Sequence, residues 1–183
     1  MRALQRGEVV AFPTETYYGL GVPALDAAAV DRLVRMKARD PDKPIPVLVA
    51  DRTMLERIAR VPPEAEPWIQ RYWPGPLTLV LPAAAGLPPP LCSAAGEIGV
   101  RISSHPLARE LVERLGAPIT ATSANRAGEP PARTAAQVRA AFSDRLVLDG
   151  GETAGGPPST VVRIYQGRAI VLRQGAVQIP WPR

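Results

Sequence analysis

The sequence contains little of the chemistry on which many small proteins depend. Its 183 residues include one cysteine, Cys92, so an internal disulfide and a metal site built from several thiolates are both excluded. The few aromatic residues do not interleave with a basic run, and no RRM, KH or dsRBD signature is present. The composition therefore gives poor support to a dedicated RNA-binding module.

Long apolar segments are also missing. No run approaches the roughly eighteen apolar residues of a membrane span, and the first ten residues lack the apolar stretch of a signal peptide. We therefore expect a cytoplasmic protein with no membrane partner. With 46% apolar and 21% charged residues, the chain suits one globular domain with a full core.

Lysine and asparagine are rare in this chain. Of its 22 cationic residues only Lys37 and Lys43 are lysines, and the only asparagine is Asn125. The net charge of +5 favours an anionic ligand or partner. Because a compact ammonium and the planar fork of arginine suit different ligands, lysines kept in an arginine-rich chain support a functional site at these two positions.

Alternating helix and strand patterns predict an α/β fold. Helices are expected over residues 25–36, 51–59, 64–72, 107–115 and 134–142, the last with Thr134 as its N-cap. Strands are expected over residues 8–12, 45–49, 77–81, 98–102, 118–121, 146–148, 160–164 and 169–172. The last two strands are adjacent in sequence, which indicates a mixed sheet.

The segment PTETYYGLG, residues 13–21, follows an apolar strand pattern and is the most informative part of the chain. A proline fixes the exit from the strand, and three polar side chains then stand side by side at 14–16. Gly19 and Gly21 are expected to let the backbone turn and approach a ligand closely. The segment predicts a small-ligand loop, although taken alone it also fits an ordinary turn.

Six further motifs follow, and the whole set resembles the Sua5/YrdC/YciO family over nearly the entire chain. They are KARDPDKP (37–44), WPGPLTLVL (73–81), GVRISSHP (99–106), TATSANRAG (120–128), GGPPSTVV (155–162) and VLRQGAV (171–177). Within the family, the chain is most similar to the short bacterial YrdC type.

The resemblance implies a single YrdC-like domain over residues 1–183, without the C-terminal domain of the longer Sua5 form. The implied fold is a twisted mixed sheet flanked by helices around a deep basic cavity. The implied enzyme is an L-threonylcarbamoyladenylate synthase, a nucleotidyltransferase that makes threonylcarbamoyl-AMP and pyrophosphate from L-threonine, bicarbonate and ATP. Mg²⁺ would accompany ATP, and the product would serve t6A modification of tRNA by a downstream threonylcarbamoyl transferase complex.

The resemblance also implies the binding residues. The expected threonine contacts are Thr16, Arg101, Ala121 and Ser159. The expected nucleotide contacts are Lys37, Arg39, Lys43, Ser123, Asn125 and Arg173. Phosphoryl and nucleotidyl transfer depend on positioning and charge neutralisation, so no catalytic residue is assigned. Nearly all of the polar members follow or end predicted elements, so we expect one deep basic pocket. The residues expected on its wall are Thr16, Lys37, Lys43, Arg101, Ser123, Asn125, Ser159 and Arg173.

Simpler structural interpretations exist for some of these residues. Lys37 and Arg39 also suit the C-terminal end of a helix dipole, and Arg101 also fits a surface position at a strand end. His105, the only histidine, is expected to be a helix cap or a surface residue rather than a catalytic base.

Several positions depart from the family pattern, and other functions stay open. Leu48 stands where longer members have a substrate-contacting histidine, Glu97 where threonine or serine is common, and Pro131 where a nucleotide-contacting serine is common. The alternatives are a YciO-type paralogue, a module that binds double-stranded RNA or tRNA, and a structural or interaction protein.

Overall fold

The computed structural model describes residues 1–38, 40 and 43–179. Six α-helices lie in this part of the chain: α1 (Arg2–Gln5), α2 (Ala27–Lys37), α3 (Arg52–Glu56), α4 (Glu66–Tyr72), α5 (Pro106–Leu115) and α6 (Ala135–Ala141). The strands are β1 (Val10–Pro13), β2 (Tyr18–Gly21), β3 (Val47–Leu48), β4 (Leu77–Pro82), β5 (Glu97–Arg101), β6 (Ile119–Thr120), β7 (Thr122–Ser123), β8 (Leu146–Val147), β9 (Thr160–Tyr165) and β10 (Arg168–Arg173). Arg39, an expected nucleotide contact, lies outside the described residues.

The strands form two mixed sheets. The four-stranded sheet has the order β7-β2-β1-β8, and the six-stranded sheet has the order β10-β9-β4-β5-β3-β6. In the first, β1 runs antiparallel to β2 and parallel to β8. In the second, β4 runs antiparallel to β5 and parallel to β9. The predicted mixed α/β class is confirmed, with the strands divided between two sheets.

Local sequence signals explain where the longer helices begin and end. At the start of α2, Asp26 Oδ1 accepts a hydrogen bond from the Ala29 amide at 3.0 Å. A capping box opens α6: Thr134 Oγ1 accepts from the Gln137 amide, and the Gln137 side chain accepts from the Thr134 amide. Gly116 ends α5 with a φ of 66°. The five predicted helices correspond to α2 through α6.

The segment 13–21 forms a β-hairpin rather than the predicted loop. Pro13 at the end of β1 pairs with Tyr18 at the start of β2, so the turn is confined to residues 14–17. Within it, Thr14 Oγ1 donates a hydrogen bond to the Tyr17 carbonyl oxygen at 2.7 Å. The prediction of a turn was therefore right for four residues and wrong for the rest.

Gly21 lies in a buried strand and serves close packing, not turning. A Cβ at this position would lie 2.6 Å from Phe12 Cε1, 2.6 Å from Ile119 Cγ2 and 2.7 Å from the Thr120 carbonyl oxygen. These distances are shorter than carbon atoms tolerate, so a larger residue would separate β2 from its neighbours. Glycine in a strand interior often marks such a close backbone approach.

The two sheets are connected at Ala121. The sequence predicts one strand over residues 118–121, but the structure forms two. Strand β6 pairs with β3 in the six-stranded sheet, and β7 pairs with β2 in the four-stranded sheet. Between them, the Ala121 amide donates to the Pro46 carbonyl oxygen at 2.8 Å.

The hydrophobic core is continuous beneath both sheets. Phe12 and Tyr18 are its largest fully buried side chains. The Tyr18 hydroxyl donates to the Gly151 carbonyl oxygen at 2.7 Å and accepts from the Gly150 amide at 3.1 Å, so this phenol is satisfied despite its burial. No helix in the described ranges is long and apolar enough to cross a membrane.

Candidate active site

A cavity of about 660 Å³ is lined by residues from both sheets. Its size is within the range of small-molecule sites. Of the expected contacts, those on its wall are Thr16, Arg101, Ala121, Ser123, Ser159 and Arg173. Each lies in the β1–β2 turn or at the end or edge of a strand, so residues far apart in sequence meet in one space.

Arg101, the last residue of β5, is ion-paired inside the cavity wall. Its Nη1 atom lies 2.7 Å from Glu15 Oε1, and the two side chains are 9% and 13% exposed. Burial lowers the pKa of the Arg101 guanidinium, and the nearby Glu15 carboxylate partly offsets this effect. Sequence reasoning placed Arg101 in the site but did not identify its partner, which lies 86 positions away.

Glu15 has a second hydrogen-bond donor, the hydroxyl of Ser103. Ser103 Oγ donates to Glu15 Oε2 and accepts a hydrogen bond from the His105 amide at 3.2 Å. Ser103 is itself buried. Each oxygen of the Glu15 carboxylate therefore has a hydrogen-bond donor. The backbone that leads into α5 holds one of these donors, Ser103, in place.

Arg173 lies on the cavity wall and is hydrogen-bonded to Ser159. Its Nε and Nη2 atoms donate to the Ser159 carbonyl oxygen at 3.1 and 2.9 Å. Ser159 Oγ lies 3.2 Å from Arg173 Nη2 and 3.0 Å from Thr78 Oγ1. Burial lowers the pKa of Arg173, and the positive charge of Arg101 lowers it further. Two arginines thus border the same cavity. Arg101 is paired with Glu15, whereas no carboxylate among the described residues pairs with Arg173.

Lys37 lies one contact behind the lining rather than on it. It ends α2, is 8% exposed, and its Nζ atom donates to the Ser123 carbonyl oxygen at 2.5 Å and to Asn125 Oδ1 at 3.2 Å. Asn125 Oδ1 also accepts from Ser123 Oγ at 2.6 Å. The structure brings these three expected nucleotide contacts together, although only Ser123 borders the cavity among them.

Lys43 does not lie on the cavity wall, contrary to the expectation. Its side chain is 73% exposed, and its Nζ atom lies 3.3 Å from Asp40 Oδ2. The next residue, Pro44, does line the cavity. Two adjacent residues therefore differ, since the proline borders the cavity and the lysine is at the surface.

The three departures from the family pattern all face the cavity: Leu48, Glu97 and Pro131. Glu97 Oε1 accepts from Arg163 Nε at 2.7 Å, so this carboxylate is already paired. Within the described residues, no group of three His, Cys, Asp or Glu side chains is placed to hold a metal ion.

His105 occupies the N-cap position of α5, as one of the two expectations had it. Its side chain makes no capping bond, and its Nδ1 atom is buried without a hydrogen-bond partner among the described residues. Burial lowers the pKa of His105, while the charge of Glu15 raises it by a smaller amount. The pKa of His105 therefore depends first on burial and second on the charge of Glu15.

Comparison with known proteins finds a consistent set of relatives. The family model Sua5_yciO_yrdC, described as "Telomere recombination", matches residues 2–175. The chain is 40% identical to the threonylcarbamoyl-AMP synthase of Pyrococcus abyssi over 96% of its length, and it spans about half (53%) of that protein. It is 39% identical to the threonylcarbamoyl-AMP synthase of Thiobacillus denitrificans, covering 91% of this chain and 90% of that protein.

Solved structures agree with these relatives. The chain is similar to P. abyssi Sua5 complexed with L-threonine, with a TM-score of 0.89 at 40% identity over 94% of this chain and 52% of that one. It is also similar to E. coli YciO, with a TM-score of 0.86 at 25% identity over 97% and 87% of the two chains. The family model covers almost all of the sequence, and this chain belongs to the Sua5/YciO/YrdC family.

Proposed function

We propose that this protein is an L-threonylcarbamoyladenylate synthase, a nucleotidyltransferase that uses L-threonine, bicarbonate and ATP. The observation that carries the proposal is the convergence of Thr16, Arg101, Ser159 and Arg173 on one cavity. The chain's 39% identity to a synthase of similar length supports it. The product would be threonylcarbamoyl-AMP, for use in t6A modification of tRNA.

Threonine binds where Arg101, Thr16 and Ser159 face the cavity. The Arg101 guanidinium binds the threonine carboxylate, because a planar fork of N–H donors matches a carboxylate and the charge is already desolvated. The hydroxyls of Thr16 and Ser159 and the small side chain of Ala121 contact the rest of the amino acid. Ser159 is held by Thr78 and Arg173, so its hydroxyl is fixed before the substrate arrives.

The nucleotide binds along the neighbouring groups of Ser123 and Arg173. Lys37 and Asn125 fix the Ser123 loop from behind and bring an ammonium within one contact of the phosphates. Arg39 and Lys43 belong to the same basic segment of the sequence as Lys37 and would contribute to phosphate binding, Lys43 from outside the wall. Mg²⁺ would arrive with ATP as part of the substrate.

The reaction has two steps. The threonine amine first attacks the carbon of bicarbonate, and loss of water gives an N-carboxylated threonine. A carbamate oxygen then forms a bond to the α-phosphorus of ATP, and the bond from that phosphorus to the bridging oxygen of pyrophosphate breaks. The site provides position and positive charge for both anions, which is what such transfers require.

A YciO-type paralogue and an RNA-binding module are the other functions considered. The lower identity to YciO, 25% against about 40% for the synthases, favours the synthase. tRNA or double-stranded RNA would be a further partner, attracted by the net charge of +5.

A substrate-omission assay tests the proposal. Purified protein should release pyrophosphate from ATP only when both L-threonine and bicarbonate are present, and Arg101→Ala should lose most of this threonine-dependent release. Pyrophosphate release that does not depend on threonine, or none from folded protein, would contradict the proposed function and favour the alternatives.

A further inference from the structure

We infer that Glu15 is a positioning residue that fixes the Arg101 guanidinium for its substrate. The inference rests on the proposed function, in which Arg101 binds the threonine carboxylate. Glu15 is not on the cavity wall, and it acts through Arg101 rather than by touching the ligand. The sequence resemblance gave no role to this residue.

The backbone around Glu15 is held in place on both sides. Thr14 Oγ1 accepts from the amides of Thr16 and Tyr17 at 3.3 Å each, and Thr16 Oγ1 lies 3.2 Å from Thr14 Oγ1. The Thr16 carbonyl oxygen accepts from the Gly155 amide at 2.8 Å. The turn that carries Glu15 is therefore rigid, and its carboxylate approaches Arg101 from a fixed direction.

Each oxygen of the Glu15 carboxylate also accepts a hydrogen bond. Oε1 accepts from Arg101 Nη1, and Oε2 accepts from Ser103 Oγ, whose oxygen accepts from the His105 amide. A carboxylate held at both oxygens cannot rotate away from its guanidinium. Within the described part of the chain Glu15 takes one of the five N–H donors of Arg101, so the others are available for a ligand.

Charge gives the second reason for a carboxylate at this position. Arg101 and Arg173 both line the cavity, and the positive charge of Arg101 lowers the pKa of Arg173, so the two guanidinium groups repel each other. Without Glu15, the Arg101 charge would be desolvated and uncompensated, and its side chain would move toward solvent or toward another acceptor. Glu15 thus keeps Arg101 inside the wall when no substrate is bound, at the cost of one N–H donor.

The test compares four variants: Glu15→Gln, Arg101→Lys, the double variant, and Glu113→Gln. The last is a matched control, since Glu113 also pairs with an arginine, Arg109 at 3.5 Å, but on an exposed helix face. We expect Glu15→Gln to weaken threonine binding by about tenfold or more in calorimetry, because the ligand must then order Arg101 itself. ATP affinity should stay within about threefold, and Glu113→Gln should match the wild type.

Non-additivity separates positioning from general damage. If Glu15 acts through Arg101, adding Glu15→Gln to Arg101→Lys should have little further effect on threonine affinity. Equal losses of threonine and ATP affinity in Glu15→Gln, or additive effects in the double variant, would overturn the inference in favour of a structural role.

A spectroscopic measurement is independent of the proposed function. In protein labelled with ¹⁵N-arginine, the Arg101 guanidinium signals, assigned by their loss in Arg101→Lys, should be resolved in the wild type and averaged by rotation in Glu15→Gln. Unchanged signals in Glu15→Gln would overturn the inference whatever the activity. Averaged signals in a protein that binds no threonine would refute the proposed function and leave the positioning role standing.

Discussion

The guanidinium of Arg173 makes three hydrogen-bond contacts with Ser159. Two of its nitrogen atoms donate to the Ser159 carbonyl oxygen at 3.1 and 2.9 Å, and Nη2 lies 3.2 Å from the hydroxyl. The contact joins the end of β10 to the residue before β9, at the point where both border the cavity. Ser159, which is expected to contact threonine, is thus bonded directly to Arg173, which is expected to contact the nucleotide.

Arg173→Lys should weaken the binding of both ATP and threonine although it keeps the positive charge. An ammonium cannot reproduce the three contacts of the fork, so the Ser159 backbone loses part of its support. We expect KM to rise about tenfold for ATP and less for threonine, as the loss of one charge-assisted contact would give. Steady-state kinetics on each substrate measures this, with Arg168→Lys on the same strand as the control. Equal KM values in the wild type and Arg173→Lys would contradict the assignment.

Lys37→Ala and Lys43→Ala should differ in their effect on stability. Lys37 is buried and donates to the Ser123 carbonyl oxygen and to Asn125 Oδ1, so its loss removes charge-assisted hydrogen bonds and should cost about 1.5–3 kcal/mol of unfolding free energy. Lys43 is largely exposed and paired at the surface, where such a pair contributes about 0–1 kcal/mol. Urea denaturation with and without ATP measures the unfolding free energy of each variant.

ATP binding gives the second comparison for these lysines. Both variants should bind ATP more weakly in calorimetry, but only Lys37→Ala should also be less stable. If Lys43→Ala bound ATP as tightly as the wild type, the phosphate role of that lysine would be wrong. If Lys37→Ala were as stable as the wild type, its buried contacts would not support the Ser123 loop.

Gly21→Ala should destabilise the protein by about 1–3 kcal/mol, the usual cost of overpacking. The new methyl group would lie 2.7 Å from the Thr120 carbonyl oxygen, and a backbone atom cannot move aside as a side-chain end can. Gly19→Ala is the control for stability, since its Cβ would meet its nearest atoms at 3.6 Å or more. Thermal denaturation should show a lower Tm for Gly21→Ala alone. Similar Tm values for the two variants would mean that Gly21 is not a packing residue.

The elements that sequence predicts best are those with local signals. Thr134 and Gln137 lie three residues apart and define the start of α6, and Gly116 ends α5 by its backbone conformation. The strand containing Gly21 was missed because glycines usually indicate turns. Glycine is needed at position 21 because β6 packs closely against it, and β6 lies about a hundred residues further along the chain.

The candidate site shows the same division between local and distant information. The motifs located Thr16, Arg101, Ser159 and Arg173, and the structure brings them to one cavity. The pairing of Arg101 with Glu15 joins two motifs across 86 residues, and no spacing within either motif encodes it. The exposure of Lys43 is likewise not encoded in its motif, in which the adjacent Pro44 borders the cavity.

The lowered pKa of His105 predicts that the free energy of unfolding depends on pH. Its pKa is lowered in the folded protein, so the unfolded chain binds more protons below the ordinary histidine value of about 6.5. The stability associated with the neutral imidazole is therefore fully present above that pH and is lost as the pH falls toward the folded-state pKa. Unfolding free energy measured between pH 8 and 5 should decrease for this reason, and the decrease should be smaller in His105→Asn.

The same histidine can be followed directly by NMR, because the chain has no other. Glu15→Gln should lower the pKa of His105 further, since the Glu15 charge is what raises it. A His105 pKa at or above the ordinary value in the wild type would contradict the buried environment described for its Nδ1 atom.

The central claim is tested most directly by the identity of the product. Purified protein should be incubated with L-threonine, ¹³C-bicarbonate and ATP, and the mixture analysed by mass spectrometry immediately after quenching. The account predicts threonylcarbamoyl-AMP that carries the ¹³C label, together with an equal amount of pyrophosphate. Folded protein that forms no labelled threonylcarbamoyl-AMP under these conditions would contradict it.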